Sequence, residues 1–179
     1  CGAAMFAKTA ALIALMLLSL AALANPNPPA LAEKVVPQLR QVGAGEMRWF
    51  GLRLYQARLL AADGRYQDNA PYALEITYQR EIERERLVDT SVDEIRRLGL
   101  DQGRMPQWRE AMSRGLVDVK PGDQLLGVYL PGVGVRFYAR SGLTAEIRDE
   151  KFAQAFFAIW LHPQTREPGL RRQLLGVDR

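Results

Sequence analysis

Along the chain the hydrophobic positions change period several times, and each change predicts an element. The clearest signal is Tyr72, Leu74, Ile76 and Tyr78 alternating with Ala73, Glu75, Thr77 and Gln79. This period-two pattern reads as a strand with one apolar and one polar face. Upstream, the stretch 47–60 is apolar on both faces, with Phe50, Leu52 and Leu54 on one and Trp49, Tyr55, Ala57 and Leu59 on the other. It reads as a strand covered on both sides. Asp63-Gly64 and Asn69-Ala-Pro71 supply turns between the two.

The period then lengthens. Ser91-Val-Asp-Glu94 has the form of a capping box, and Gly99 stands where a helix would stop, so a short helix is expected over 92–98. Pro106 followed by Trp108, Met112 and Leu116 gives a second amphipathic helix. Three short strands at 124–130, 135–140 and 143–148 are separated by Pro131-Gly-Val-Gly134 and Ser141-Gly142, the pattern of a meander. Asp149 is placed to cap a helix whose Phe152, Phe156, Ile159 and Trp160 form one aromatic stripe, suited to covering a sheet. Pro163 halts that helix, Pro168 starts a last one running to Leu175, and Gly176 ends it. Clustered antiparallel strands with helices in blocks make the class α+β.

The N-terminal stretch stands apart. Lys8 precedes an apolar run of 16 residues, Thr9 to Ala24, which contains Thr9 and Ser19 and ends in Ala22-Leu23-Ala24. The order fits a secretory signal cleaved before Asn25, and the run is shorter than the ~20 residues a membrane span needs. The protein is therefore expected in the periplasm or secreted, with residues 1–24 a signal peptide, 25–42 a Pro/Asn linker and N-terminal segment, and 43–179 the domain. The sole cysteine, Cys1, falls before the cleavage point, so neither a disulfide nor a lipid-bearing cysteine is expected in the mature chain.

Of 179 residues, 48% are hydrophobic and 25% charged, as in a single globular domain, and the formal charge is +4. Glu81-Ile-Glu-Arg-Glu-Arg86 interleaves the signs instead of clustering them, which argues against a nucleic-acid partner. His162 is the only histidine, so no multi-histidine metal site is expected, and its position at a helix end suits capping of exposed carbonyls. Gly43-Ala-Gly45 and Gly132-Val-Gly134 lack the spacing of a phosphate loop and read as turns. Asp89, Asp93, Glu81, Glu83 and Glu85 all have arginines nearby and read as surface ion pairs.

One grouping carries candidate chemistry. Tyr55, Tyr78 and Tyr129, with Arg53 and Arg80, would put aromatic walls beside guanidinium groups along one sheet face. Such a cleft suits an apolar ligand with a carboxylate or phenolate head. The same pattern is also met by tyrosines that pack the core while the arginines stay in solvent.

Several segments taken together resemble the chalcone isomerase superfamily, in particular its bacterial exported branch. They are Gly43-Ala-Gly45 with Leu52-Arg-Leu-Tyr-Gln-Ala-Arg-Leu59, Ala73-Leu-Glu-Ile-Thr-Tyr-Gln-Arg80, Trp108-Arg-Glu-Ala-Met112, Val119-Lys-Pro-Gly-Asp123, Tyr129-Leu-Pro-Gly-Val-Gly134, the aromatic run from Phe152 to Leu161, and Leu170-Arg-Arg-Gln-Leu-Leu-Gly176. The resemblance implies an open-faced sandwich, an antiparallel sheet with helices packed on one face and a ligand cleft between. Plant-type relatives cyclise a chalcone to a flavanone, and others of the same fold bind fatty acids, so the fold alone does not choose. The arginine that enzymes and binders share two residues after Gly-x-Gly corresponds to Met47, with Arg48 adjacent. The enzyme's tyrosine and asparagine correspond to Arg86 and Asp93. The expectation is a cofactor-free, metal-free and non-catalytic binder of a hydrophobic small molecule such as a fatty acid. Tyr55, Tyr78 and Trp108 would form the walls, and Arg53 or Arg80 would meet the head. Two rivals stand beside it: an intramolecular lyase or isomerase acting on an enone, and a cell-envelope structural or interaction module.

Overall fold

The computed structural model describes residues 30–177. The expected signal peptide and Pro/Asn tether, residues 1–29, lie outside the described residues. Six strands form one antiparallel sheet in sequence order: β1 (Arg40–Trp49), β2 (Leu52–Ala61), β3 (Tyr72–Tyr78), β4 (Gln124–Leu130), β5 (Gly134–Ala139) and β6 (Gly142–Ile147). Among the described residues five α-helices accompany it: α1 (Leu31–Val35), α2 (Arg84–Arg97), α3 (Met105–Gly115), α4 (Glu150–Leu161) and α5 (Pro168–Leu174). The class is α+β, and the β4–β6 meander falls within a residue of its expected bounds because its turns are local. Gly132 and Gly142 both take positive φ there.

The helix-side face carries Ala57, Leu59, Leu74, Ile76, Val135 and Phe137, and the stripe of α4 closes on it. Asp149 caps α4 as its position predicts, its Oδ1 accepting from the Phe152 N–H at 3.0 Å. Packing here is tight. A Cβ added to Gly127 would stand 3.1 Å from the Phe157 ring, and one at Gly115 only 2.3 Å from Phe137. The middle of the sheet–helix layer is therefore filled by side chains.

Four expectations need correction. The stretch 47–60 is not one strand but the two arms of a hairpin, turning at Phe50-Gly51 with φ of 46° and 79°. Positive φ at both central residues is what a two-residue hairpin turn requires. Trp49, Phe50 and Leu52 are accordingly exposed at the tip, not covered. Gly43 and Gly45 are not turn residues either. They lie inside β1, and a Cβ at either would stand 2.0 Å from the Gln173 carbonyl oxygen or 2.6 Å from Leu170 Cδ1, so their bareness lets α5 lie directly on the strand. The helix expected over 92–98 begins eight residues earlier, at Arg84. Ser91 sits within it and bonds back to the Leu87 carbonyl at 2.8 Å, so its hydroxyl serves the helix interior instead of a cap.

The fourth correction concerns β3, whose polar face is buried. While α2–α5 cover one face of the sheet, the segment 25–42 contributes α1, which packs on the opposite face. Leu31, Ala32, Val36 and Leu39 meet Leu60, Ala73, Leu126 and Val128 there. Glu75 is 1% exposed at the centre of this patch. Its Oε1 accepts from Arg58 Nε at 2.9 Å and Nη2 at 2.7 Å, and its Oε2 accepts the Ala32 N–H at 2.7 Å. Beside it, Gln124 Oε1 accepts the Leu31 N–H at 2.9 Å. The first donors of a short helix are thus answered by strand side chains across the interface.

Glu75→Ala should therefore destabilise the fold by about 3 kcal/mol, the low end for breaking a buried pair because Arg58 can turn to water. Glu75→Gln, which keeps an acceptor for Ala32, should cost less. Urea midpoints at constant m value measure both; equal stability of Glu75→Ala and wild type would show that α1 is held by packing alone.

Candidate ligand-binding site

Strand alternation puts Tyr55 and Tyr78 opposite each other across β2 and β3, both toward the helices. Their rings meet edge to face at 6.0 Å. Tyr78 is buried, whereas Tyr55 is half-buried and packs with Met47, its partner on β1. The last turn of α4 completes the wall: Trp160 Nε1 donates to the Tyr55 hydroxyl at 3.0 Å, and the Trp160 ring packs on Phe156 at 5.5 Å. With its oxygen accepting from the indole, Tyr55 still has its own proton to donate.

Burial pushes the Tyr55 phenol up to about 12, and the negative charges of Glu167 and Glu94 push in the same direction against the opposing effect of the indole bond. Tyr78 is raised further, by burial first and then by Tyr55. At neutral pH this end of the layer presents neutral hydroxyls. Its rim is charged: Glu94 accepts from Arg97 Nε at 3.0 Å and from Arg166 Nε at 2.8 Å. Arg97 also donates twice to the Gln164 carbonyl, both at 3.1 Å, tying α2 to the loop after α4.

The other expected site residues are dispersed. Arg53 is exposed and reaches Glu46 Oε2 at 3.5 Å, on the face away from the helices. Arg80 is exposed in the bend after β3. Trp108 is buried between α3 and α4, its Nε1 donating to Asp149 Oδ2 at 3.1 Å and its ring 5.9 Å from Phe152. Phe152 and Trp160 stand about 12 Å apart along α4 at 1.5 Å per residue, so Trp108 and Tyr55 occupy opposite ends of that helix. Tyr129 also lies at a different end of the sheet from Tyr55. It stacks on Tyr72 at 4.8 Å and donates to Glu150 Oε1 at 3.0 Å, and Tyr66 packs against Tyr72 at 5.1 Å. His162 caps α4, but its Nδ1 accepts the Gln164 N–H at 3.0 Å instead of donating to a carbonyl. An open cavity of about 420 Å³ lies at the same end of the sheet as Tyr78 but toward β4 and β5, lined by residues including Val119, Asp123, Gln124 and Arg140; the Asp123 carbonyl accepts the Tyr78 N–H at 2.9 Å.

These positions can be set beside known proteins. A family described as chalcone isomerase-like matches residues 47–176. The chain belongs to the chalcone isomerase-like family. A curated Haemophilus influenzae protein, described as uncharacterized, is 33% identical over 136 residues, 75% of this chain and 67% of that one. Among solved structures, the fold is similar to that of the Arabidopsis thaliana fatty-acid binding protein AtFAP1. That match has a TM-score of 0.59 and 8% identity, covering 84% of this chain and 91% of that one.

Within this chalcone isomerase-like protein, the position two residues after Gly-x-Gly is Met47, part of the apolar wall. The ladder shifts register between Met47 and Arg48, yet Arg48 does not turn inward. Its Nε donates to Glu46 Oε1 at 2.6 Å on the opposite face. Arg86 and Asp93, where the resemblance would place the enzyme's tyrosine and asparagine, are exposed on α2.

Because the folded state holds the Tyr55 proton more tightly than the unfolded chain, its contribution is complete below pH 10. It falls by about 1.4 kcal/mol per pH unit as pH rises toward 12. Tyr55→Phe should flatten that part of the alkaline stability profile, measured by denaturant unfolding from pH 9 to 12; identical slopes would mean that the phenol is solvated.

Proposed function

We propose that this chalcone isomerase-like protein is a periplasmic, cofactor-free and non-catalytic binder of a hydrophobic small molecule, of the fatty-acid class. The observation that carries the reading is the Tyr55–Trp160 pair: an unspent hydroxyl donor stands over an apolar wall at the half-open end of the sheet–helix layer. An acyl chain wants contact area and its carboxylate wants donors. Met47, Tyr78 and Trp160 offer the first, and the Tyr55 hydroxyl offers the second, with the terminal nitrogens of Arg166 nearby at the rim beyond its Nε bond to Glu94. The fold shared with the Arabidopsis thaliana fatty-acid binding protein supports the same class. A secretory leader supports the periplasm, through the apolar run before Asn25.

Since the middle of the layer is filled, the ligand enters at this end by parting Trp160 from Tyr55. Adding oleate should therefore change the emission of Trp160, and native mass spectrometry should detect the complex. Tyr55→Phe should weaken binding about 3- to 10-fold, the worth of one hydrogen bond. Absence of any complex would dismiss the proposal. Turnover of a chalcone-type enone that disappears in Tyr55→Phe would replace binding with isomerisation.

A further inference from the structure

The β1–β2 hairpin outruns the rest of the sheet. Pairing of β2 with β3 begins at Tyr55, with one further bond from the Gln79 N–H to the Leu54 carbonyl. The hairpin thus projects about three residues, or ~10 Å at the strand rise. Its end is apolar: Trp49 is 59% exposed, Phe50 88% and Leu52 50%, with the Trp49 and Phe50 rings edge to face at 4.9 Å. Behind these side chains, Arg48 and Arg53 share the single carboxylate of Glu46, and Arg80 leaves β3 close by, exposed. The end is apolar and aromatic, and behind it stand three guanidinium groups and one carboxylate.

We infer that this tip is a membrane-contact element, seating Trp49, Phe50 and Leu52 in the interfacial layer of an anionic bilayer while Arg48 and Arg53 meet the lipid phosphates. Three features select a lipid surface as the occupant. Projection of ~10 Å matches the 5–10 Å depth of interfacial insertion. Tryptophan beside a second apolar ring is the side-chain type favoured at that depth. Guanidinium groups set just behind the apolar end are complementary to anionic headgroups and can reach them while their stems follow the apolar side chains inward. The turn itself points to selection for the side chain: position 50 has φ of +46°, where Asn is the favoured residue and a bulky ring is an outlier. The inference does not depend on the proposed ligand.

The test uses the full chain, whose apolar run before Asn25 can bind vesicles in every variant, so the readout is the surroundings of Trp49 and not sedimentation. Trp49 emission is isolated by subtracting the spectrum of Trp49→Phe. With vesicles of equal phosphatidylglycerol and phosphatidylcholine, it should shift to the blue and be quenched by brominated acyl chains. Pure phosphatidylcholine should give a several-fold weaker response. Phe50→Asn should abolish both effects while leaving the thermal midpoint equal or higher, because the new residue suits the turn, so misfolding is not the cause. Arg48→Gln with Arg53→Gln should weaken the response to anionic vesicles. Trp49 emission unmoved by anionic vesicles, or a response that survives Phe50→Asn, would overturn the inference.

Discussion

A hairpin longer than the sheet it belongs to organises this molecule. β1 and β2 have ten residues each, whereas β3 to β6 have six or seven. The inner half of the hairpin has strand neighbours and a helix cover, and the outer half has neither. Between them lies a half-covered zone, and Met47 and Tyr55 stand in it. Gly43 and Gly45 determine what covers that zone. By letting α5 rest on the β1 backbone they bring the α4–α5 corner down, and Arg171 Nε ties the two helices through the Leu161 carbonyl at 2.7 Å. Trp160, one residue before Leu161, is thereby delivered to the Tyr55 hydroxyl. The site is a consequence of strand length and two missing side chains.

The opposite face solves another problem with few residues. A sheet cannot leave Leu60, Ala73, Leu126 and Val128 in water without exposing a contiguous apolar patch, and among the described residues the five of α1 and the turn after it cover them. A helix that short has no stability of its own. Its first N–H groups are answered by Glu75 and Gln124, and the carboxylate is in turn neutralised by the paired donors of Arg58. Each buried polar atom in the arrangement has a partner, which is the condition under which a buried charge is tolerable.

Much of this was legible in the chain, for reasons that are local. Alternation at 72–78 established a strand and set Tyr78 on the same face as its neighbours, Asp149 marked the start of α4, and glycine-containing turns bounded the meander. Two failures were local, the Phe50-Gly51 turn hidden in an apolar run and the helix start at Arg84; the others were matters of distance in sequence. Glu75 read as solvent-facing because the element that buries it lies some forty residues upstream and has no amphipathic signature. Ser91 matched a capping box by spacing, while the helix had already begun at Arg84. Trp160 was visible in the aromatic stripe, but no periodicity says over which end of a sheet each residue of a helix will stand. For the same reason Trp108 was grouped with Tyr55 although α4 separates them, and the rim formed by Glu94, Arg97 and Arg166 had no signal, since its members come together only when α2 meets the loop beyond α4.

At nearly every position local preference and tertiary role agree in this protein: positive φ falls on glycine at turns, a carboxylate caps α4, and prolines open α3 and α5. Among the described residues three non-glycine positions take positive φ, Phe50, Asp63 and Gln102. Asp63 is a type that tolerates the left-handed region, and Gln102 sits beside Gly103 in an open turn. Phe50 alone combines that backbone with a large ring given almost wholly to solvent. Folding gains little from the ring in this place, since it covers no core, meets only the Trp49 ring, and an asparagine would fit the turn better. A residue that strains its turn and touches little but its neighbour Trp49 is the feature that the proposed lipid contact accounts for: a surface apolar within ~10 Å of the tip and negative at the depth of the arginines would give the ring a partner.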